Sequence, residues 1–148
     1  MKHIFQTGFF VFILIGFIGC TTYYITVESF KEQFNGIDST SLKIVSTRGP
    51  AGDVAEYPAN PIEYIKCIDK EGNPFQLKNS PSIEMRITEN DNNRTIFYFD
   101  RVLLQDSLLI GDRSRFIYLP KAIPIDSVKL IEVQDGRKNF KYVETKKK

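Results

Sequence analysis

An uncharged apolar run near the start of the chain constrains its fold more than any other feature. Residues 8–18 read GFFVFILIGFI and follow the positively charged Lys2. Such a run after a positive residue is typical of a secretory signal peptide and is short for a membrane-spanning helix. The sequence therefore predicts that residues 1–19 are removed and that the remainder folds without them.

The run ends at Phe17-Ile18-Gly19-Cys20. A bulky apolar residue, a small residue and then cysteine resemble a lipobox, the site cut by the lipoprotein signal peptidase, although Phe17 stands where leucine is preferred. The resemblance implies cleavage between Gly19 and Cys20, diacylglycerol on Cys20 and attachment to a membrane through palmitate-type chains.

With the segment 23–34, the chain also resembles small lipoproteins of Bacteroidota. That likeness implies a place in the cell envelope. Surface lipoproteins of that phylum often carry an acidic run after the cysteine, whereas Thr21-Thr22-Tyr23-Tyr24 has none. We therefore expect an outer-membrane lipoprotein that faces the periplasm.

A retained signal anchor in the inner membrane is the alternative. The uncharged stretch continues to Val27 before Glu28 supplies a charge, which is long enough to span a bilayer. Against an anchor, Gly16 and Gly19 interrupt a helix, and Tyr23–Val27 is rich in β-branched and aromatic residues that favour a strand.

Composition excludes several kinds of chemistry. Across 148 residues, 20 Lys and Arg face 18 Asp and Glu, a balance without the basic surface that nucleic acid binding needs. The single histidine, His3, leaves with the signal peptide, so a histidine-based triad or zinc site is not expected. With Cys20 lipidated, Cys67 is the one remaining thiol, and its alternating surroundings predict a buried strand residue. No cofactor and no metal is expected.

Turn residues recur every eight to twelve positions or so, which is typical of an all-β domain. We predict a mainly β fold, a small antiparallel barrel or roll, over residues 20–145, followed by a basic tail at 146–148. One short helix is predicted at Ser29–Gly36, with Ser29 and Glu32 as a capping box and Gly36 closing the end. Strands are predicted at 42–47, 62–69, 75–77, 83–88, 95–104, 107–110, 128–133 and 138–143.

Hairpin loops are predicted at Asp69–Pro74 and at Gln134-Asp135-Gly136, whereas 48–61 is predicted to be a long loop. The rhythm of 83–88, 95–100, 106–111 and 123–133 resembles small SH3-like barrels. That resemblance implies that a turn at Ile125-Asp126-Ser127 folds the last strands back, with Ile131 and Val133 facing inward. It implies no activity.

Four surface motifs are candidate sites. Glu89–Asn93 has the alternating oxygens of a calcium loop, but a polar hairpin loop explains it better because no glycine or closing glutamate follows. Arg113 and Arg115 form a candidate anion contact, with a charged strand edge as the alternative. Gly49–Asp53 lacks the lysine of a phosphate loop. The lysines at 146–148 can meet anionic head groups or remain a solvated end.

Two functional classes follow. We favour a non-enzymatic binding or structural component of the envelope, tethered to the membrane and contacting an unidentified envelope protein or polymer. The alternative is a carboxylate-based envelope hydrolase, for example through Asp100 and Asp106. An inhibitor or immunity protein against a wall-degrading enzyme belongs to the binding class and predicts a protruding loop at 48–58.

Overall fold

The structure is a computed structural model that describes residues 20–144. The predicted signal peptide at 1–19 and the basic tail at 146–148 lie outside the described residues. Twelve strands are described: β1 (Thr22–Ile25), β2 (Lys43–Arg48), β3 (Val54–Ala59), β4 (Tyr64–Ile68), β5 (Pro74–Lys78), β6 (Ile83–Glu89), β7 (Arg94–Tyr98), β8 (Leu103–Gln105), β9 (Leu108–Asp112), β10 (Pro120–Pro124), β11 (Val128–Asp135) and β12 (Lys141–Val143).

One α-helix, α1 (Val27–Phe34), follows β1, and three short 3₁₀ turns lie at Ser39–Ser41, Phe99–Arg101 and Ile125–Ser127. All strand pairs are antiparallel. The predicted mainly β fold with a single short helix is therefore confirmed. The strands form open sheets rather than a closed barrel.

The largest sheet has six strands in the order β5-β4-β1-β11-β6-β7, and two three-stranded sheets have the orders β10-β9-β8 and β12-β2-β3. The first strand of the described chain thus lies in the centre of the main sheet beside β11. The predicted strand character of Tyr23–Val27 agrees with this position through Ile25. The chain is consequently integrated into the fold almost from Cys20 onward.

The core lies between the inner face of the six-stranded sheet, the helix and the β8–β10 sheet. Ile131 and Val133 face inward and are fully buried, as the sequence predicts. Each fully buried side chain of this size contributes about 1.5–3 kcal/mol through burial. The other fully buried large side chains include Phe30, Ile65, Met85, Ile87, Phe97, Phe99, Leu109 and Ile123.

The helix begins earlier than predicted. Thr26 is the N-cap, and its hydroxyl accepts a hydrogen bond from the Ser29 backbone N–H at 3.1 Å, so the predicted capping box of Ser29 and Glu32 is wrong. Gly36 does close the helix in the left-handed region, at φ 76°. Because Phe30 and Phe34 are four residues apart, both fall on the buried face.

Several predicted boundaries need correction. The predicted long loop at 48–61 is a tight turn followed by β3, which pairs with all of β2. The predicted strand at 95–104 is broken by the 3₁₀ turn Phe99–Arg101. Gln134-Asp135-Gly136 does not form a hairpin, because β12 pairs with β2 rather than with β11. β10 was not predicted at all.

Other predicted features are confirmed. Asp69–Asn73 joins β4 to β5, Glu89–Asn93 lies at the β6–β7 connection, and a 3₁₀ turn at Ile125–Ser127 leads into β11. Cys67 is a buried residue of β4, and burial raises the pKa of its thiol. Within residues 20–144, no helix is long and apolar enough to cross a bilayer.

Candidate functional site

The connection between β9 and β10 exposes four consecutive large apolar residues. Phe116, Ile117, Tyr118 and Leu119 are 72%, 63%, 81% and 39% exposed. Single exposed apolar side chains are ordinary on protein surfaces, but a contiguous apolar patch marks a contact surface. We call residues 113–119, which include these four, the apolar loop.

Polar contacts close the base of the apolar loop. The Asp112 carboxylate accepts hydrogen bonds from the backbone N–H groups of Ser114 and Leu119, at 3.1 and 3.0 Å. The Arg113 N–H donates to the Leu119 carbonyl at 3.2 Å, and the Phe116 N–H donates to the Ser114 hydroxyl at 3.2 Å. One carboxylate thus fixes both ends of the loop.

A first ion pair holds that carboxylate in place. An Arg101 guanidinium nitrogen lies 2.6 Å from Asp112 Oδ2, and another donates to the Ser114 carbonyl at 2.7 Å. The guanidinium also lies over the Tyr57 ring, 4.9 Å from its centroid. Arg101 belongs to the 3₁₀ turn after β7, so this turn is fastened directly to the loop.

A second, fully buried ion pair lies beneath the apolar loop. Arg115 Nη2 is 3.0 Å from Asp100 Oδ1, and their side chains are 2% and 0% exposed. The Tyr57 hydroxyl donates to Asp100 Oδ2 at 2.6 Å and the Tyr142 hydroxyl at 2.8 Å. Arg115 also donates to the Pro81 carbonyl. Asp100 therefore receives hydrogen bonds from three side chains that come from three parts of the chain.

Aromatic rings surround the buried guanidinium. Arg115 lies 4.0 Å from the centroid of the Tyr98 ring and 5.3 Å from that of Phe140. Phe140 in turn contacts Phe116, with ring centroids 6.2 Å apart. Cation–π contacts of this kind favour a desolvated guanidinium. The apolar loop is thus continuous with a buried aromatic and ionic base.

The buried residues beneath the apolar loop have a structural role. Burial and then the negative charge of Asp100 raise the pKa of both Tyr57 and Tyr142 well above the usual value, so both hydroxyls remain protonated donors. The Asp100 carboxylate is occupied by these donors and by Arg115. Such a cluster can fix a loop, but it offers no free base or nucleophile to a substrate.

The structure separates the two arginines of the predicted anion contact. Arg113 is exposed, whereas Arg115 points inward and forms an ion pair with Asp100 of the same chain. Both belong to a loop rather than to a strand edge. The suggested acidic pair is also separated in environment, because Asp106 lies in an exposed turn at φ 50° while Asp100 is buried.

Cys20 is exposed and opens the described part of the chain, two residues before β1. Gly19 lies outside the described residues. The Gly49–Asp53 segment is the β2–β3 turn, closed by a hydrogen bond from Gly49 N–H to the Asp53 carbonyl. In Glu89–Asn93, the Asp91 carboxylate accepts from the Asn93 backbone and amide, at 3.0 and 2.6 Å, and the Asn90 N–H donates to the Ser127 carbonyl at 2.8 Å, as in a polar hairpin loop.

The apolar loop itself was missed at the level of sequence. The run Phe116-Ile117-Tyr118-Leu119 follows two arginines and precedes Pro120, and an apolar run bounded in this way can equally be a buried strand. Tyr57 and Tyr142 were missed because their partner Asp100 is more than forty residues distant in each case.

Two hollows flank these elements. A cleft of about 170 Å³ beside Tyr118 is lined mainly by apolar residues, among them Leu42, Pro58 and Leu103. A wider groove of about 410 Å³ lies between β2 and β4, and its charged residues, Lys43, Glu63 and Lys78, are all exposed. The cleft is also lined by Arg101 and Asp112, which pair with each other, whereas the groove brings no buried ionisable groups together.

Within residues 20–144, no three His, Cys, Asp or Glu residues form a group that could hold a metal ion. Comparison with protein-family models, with curated proteins and with solved structures gives no match to this chain.

Proposed function

We propose that the chain is a cell-envelope lipoprotein, held by lipid on Cys20 at the periplasmic face of the outer membrane. It acts there without catalysis, as a binding or structural component. The observation that carries the binding role is the exposed run Phe116–Leu119 on its buried ionic base.

The position of Cys20 supports lipid attachment. Its side chain is exposed, and Thr22, two residues later, already pairs with Gln134 in the main sheet. A modified Cys20 is therefore sterically compatible with the fold, whereas Cys67 is buried. Two or more acyl chains give stable attachment, while a single chain gives only reversible binding.

The state of the buried carboxylate supports binding rather than hydrolysis. A carboxylate-based hydrolase needs two carboxyl groups that face one substrate across several ångströms. Asp100, the most buried carboxylate, is fully engaged by Arg115 and two tyrosine hydroxyls. The inhibitor alternative loses its suggested protruding loop, because residues 48–58 form a tight turn and a paired strand.

The first experiment is intact mass and membrane fractionation of wild type, Cys20→Ser and Cys67→Ala. Cys67→Ala is the matched control because it removes the other cysteine of the sequence and leaves the leader unchanged. We expect loss of the leader mass and gain of acyl mass in wild type and Cys67→Ala only. Full-length, unacylated mass of the wild type, with the same membrane retention in wild type and Cys20→Ser, contradicts lipidation and indicates a retained inner-membrane anchor.

The binding role is tested by replacing Ile117 with a photo-crosslinking amino acid in the membrane-bound protein. The same replacement of Leu108 is the control. Ile117 is 63% exposed in the apolar loop, and Leu108 is 37% exposed at the opposite end of β9. We expect adducts from position 117 that are absent from position 108. Equal labelling at both positions contradicts a dedicated contact surface.

A further inference from the structure

From the arrangement of the main sheet we infer that the partner of the apolar loop is the lipid bilayer that holds Cys20. This inference rests on the proposed anchoring and assigns a second membrane contact, made by Phe116–Leu119. The two contacts together fix the orientation of the domain at the membrane.

The strand register places Cys20 and the loop at the same end of the sheet. Thr22 lies opposite Gln134, Gln134 lies opposite Glu84, and Glu84 lies opposite Tyr98. These four residues form one row across β1, β11, β6 and β7. Since neighbouring strands are about 4.8 Å apart, the row spans roughly 14 Å.

The two ends of this row carry the two membrane contacts. Cys20 precedes Thr22 by two residues, so the Cys20 Cα lies within about 7 Å of the Cα of the first strand residue. At the other end, the Tyr98 ring contacts the Arg115 guanidinium, and Phe116 follows Arg115 directly. The short tether keeps this end of the sheet, and the loop that contacts it, near the head groups.

The composition of the loop matches the membrane interface. Phe116, Ile117 and Leu119 are apolar, Tyr118 combines an aromatic ring with a polar hydroxyl, and Arg113 is exposed beside them. Aromatic residues with a nearby cation are favoured at the level of the lipid head groups. A water-facing loop has no need of four such residues in sequence.

The fixed base of the apolar loop favours insertion of the loop into the membrane. An exposed apolar loop that is free to move can fold back onto its own protein, for example into the cleft beside Tyr118. Here Arg101 and Asp112 fix the ends of the loop, and the buried Asp100–Arg115 pair fixes its middle. The apolar side chains are therefore held outward before they meet lipid, which lowers the entropic cost of contact.

The test uses the lipidated mature protein with a single tryptophan, because the sequence contains none. Tyr118→Trp places the probe in the loop, and Leu108→Trp, at the far end of β9, is the matched control. Both are reconstituted into phosphatidylethanolamine–phosphatidylglycerol vesicles with or without brominated acyl chains. We expect a blue shift of emission and strong quenching by brominated lipid for Tyr118→Trp, with neither for Leu108→Trp.

Intact mass and vesicle flotation of the same samples separate the two hypotheses. Acylated, floating protein with an unquenched Tyr118→Trp probe overturns the loop contact and leaves the anchor intact. Quenching of the Tyr118→Trp probe and not of the Leu108→Trp probe, in acylated protein, supports both. Quenching that persists in Tyr118→Trp/Cys20→Ser protein supports the loop contact independently of the anchor, and equal quenching of both probes overturns it.

Discussion

Two loops of this molecule are held in place by different kinds of contact. Glu89–Asn93 is polar and is held by exposed or partly exposed hydrogen bonds, with Asp91 accepting from Asn93 and the Asn90 N–H donating to the Ser127 carbonyl. The apolar loop 113–119 is held by Arg101, Asp100 and other residues from elsewhere in the chain. Hydrogen bonds near the surface suffice for a polar loop, whereas the loop that displays apolar residues is supported by a buried ion pair.

The largest expected effect on the free energy of unfolding is at the buried Asp100 carboxylate. Asp100→Ala leaves the Arg115 guanidinium buried without its partner, which typically costs about 3–5 kcal/mol. It also removes the acceptor of two tyrosine hydroxyls. We expect the free energy of unfolding, measured by urea denaturation, to fall by that amount.

Asp91→Ala is the matched control, since it removes an aspartate that also accepts two hydrogen bonds. Because Asp91 is exposed and its partners can turn to water, its loss is expected to cost less than about 1 kcal/mol. Equal losses for the two variants contradict the distinction between a loop held near the surface and a loop held by a buried base.

A double-mutant cycle separates the interaction energy of the ion pair from the cost of burying each partner. Asp100→Leu and Arg115→Met each leave one buried charge unpaired, whereas the double variant leaves none. Coupled residues of this kind deviate from additivity by about 0.5–3 kcal/mol, and we expect the upper part of that range. The double variant should therefore be more stable than the sum of the single losses predicts.

The cycle also tests what the ion pair is for. Replacing a buried ion pair with apolar residues is often neutral or stabilising, so such a pair is weak evidence of stability alone. If the double variant regains stability and still alters photo-crosslinking from position 117, the pair serves to position the loop. Wild-type crosslinking in a stable double variant contradicts that role.

Features with local sequence signals were predicted, whereas features that depend on long-range contacts were not. Gly36 at the helix end and the Asp69–Asn73 turn were predicted because their signals are local. β3 was missed because Pro58 and the preceding turn residues resemble a loop, and its pairing with β2 supplies the missing information. The base of the apolar loop joins Tyr57, Asp100 and Tyr142, a set that only the tertiary fold brings together.

Alkaline pH is expected to weaken the buried base of the apolar loop. Burial and the nearby Asp100 charge raise the pKa of Tyr57 and Tyr142 above the ordinary value of 10.0. A raised pKa in the folded state means that the contribution to stability is complete below about pH 10 and is lost as the pH rises further. The free energy of unfolding should therefore decline above that pH.

The slope of this decline identifies the groups. Tyr57→Phe/Tyr142→Phe removes both titrating hydroxyls, so its stability should depend less on pH in the alkaline range than that of wild type. Tyr64→Phe is the control, since Tyr64 is 53% exposed. Phenolate absorbance should show two tyrosines that titrate late in wild type and not in the double variant. An unchanged alkaline slope in that variant contradicts the assignment.

The smallest expected effect on stability is at the tip of the apolar loop, and it carries the functional side of the comparison. Tyr118 is 81% exposed, so Tyr118→Ser should change the free energy of unfolding by no more than about 0.5 kcal/mol. The same substitution, combined with Phe116→Ser, should move the loop away from lipid, which crosslinking from position 117 measures. A residue that contributes nothing to folding yet determines a contact is the sign of a surface kept for binding. A large loss of stability in Tyr118→Ser instead means that the tip packs on the domain, and the four apolar residues then need no partner.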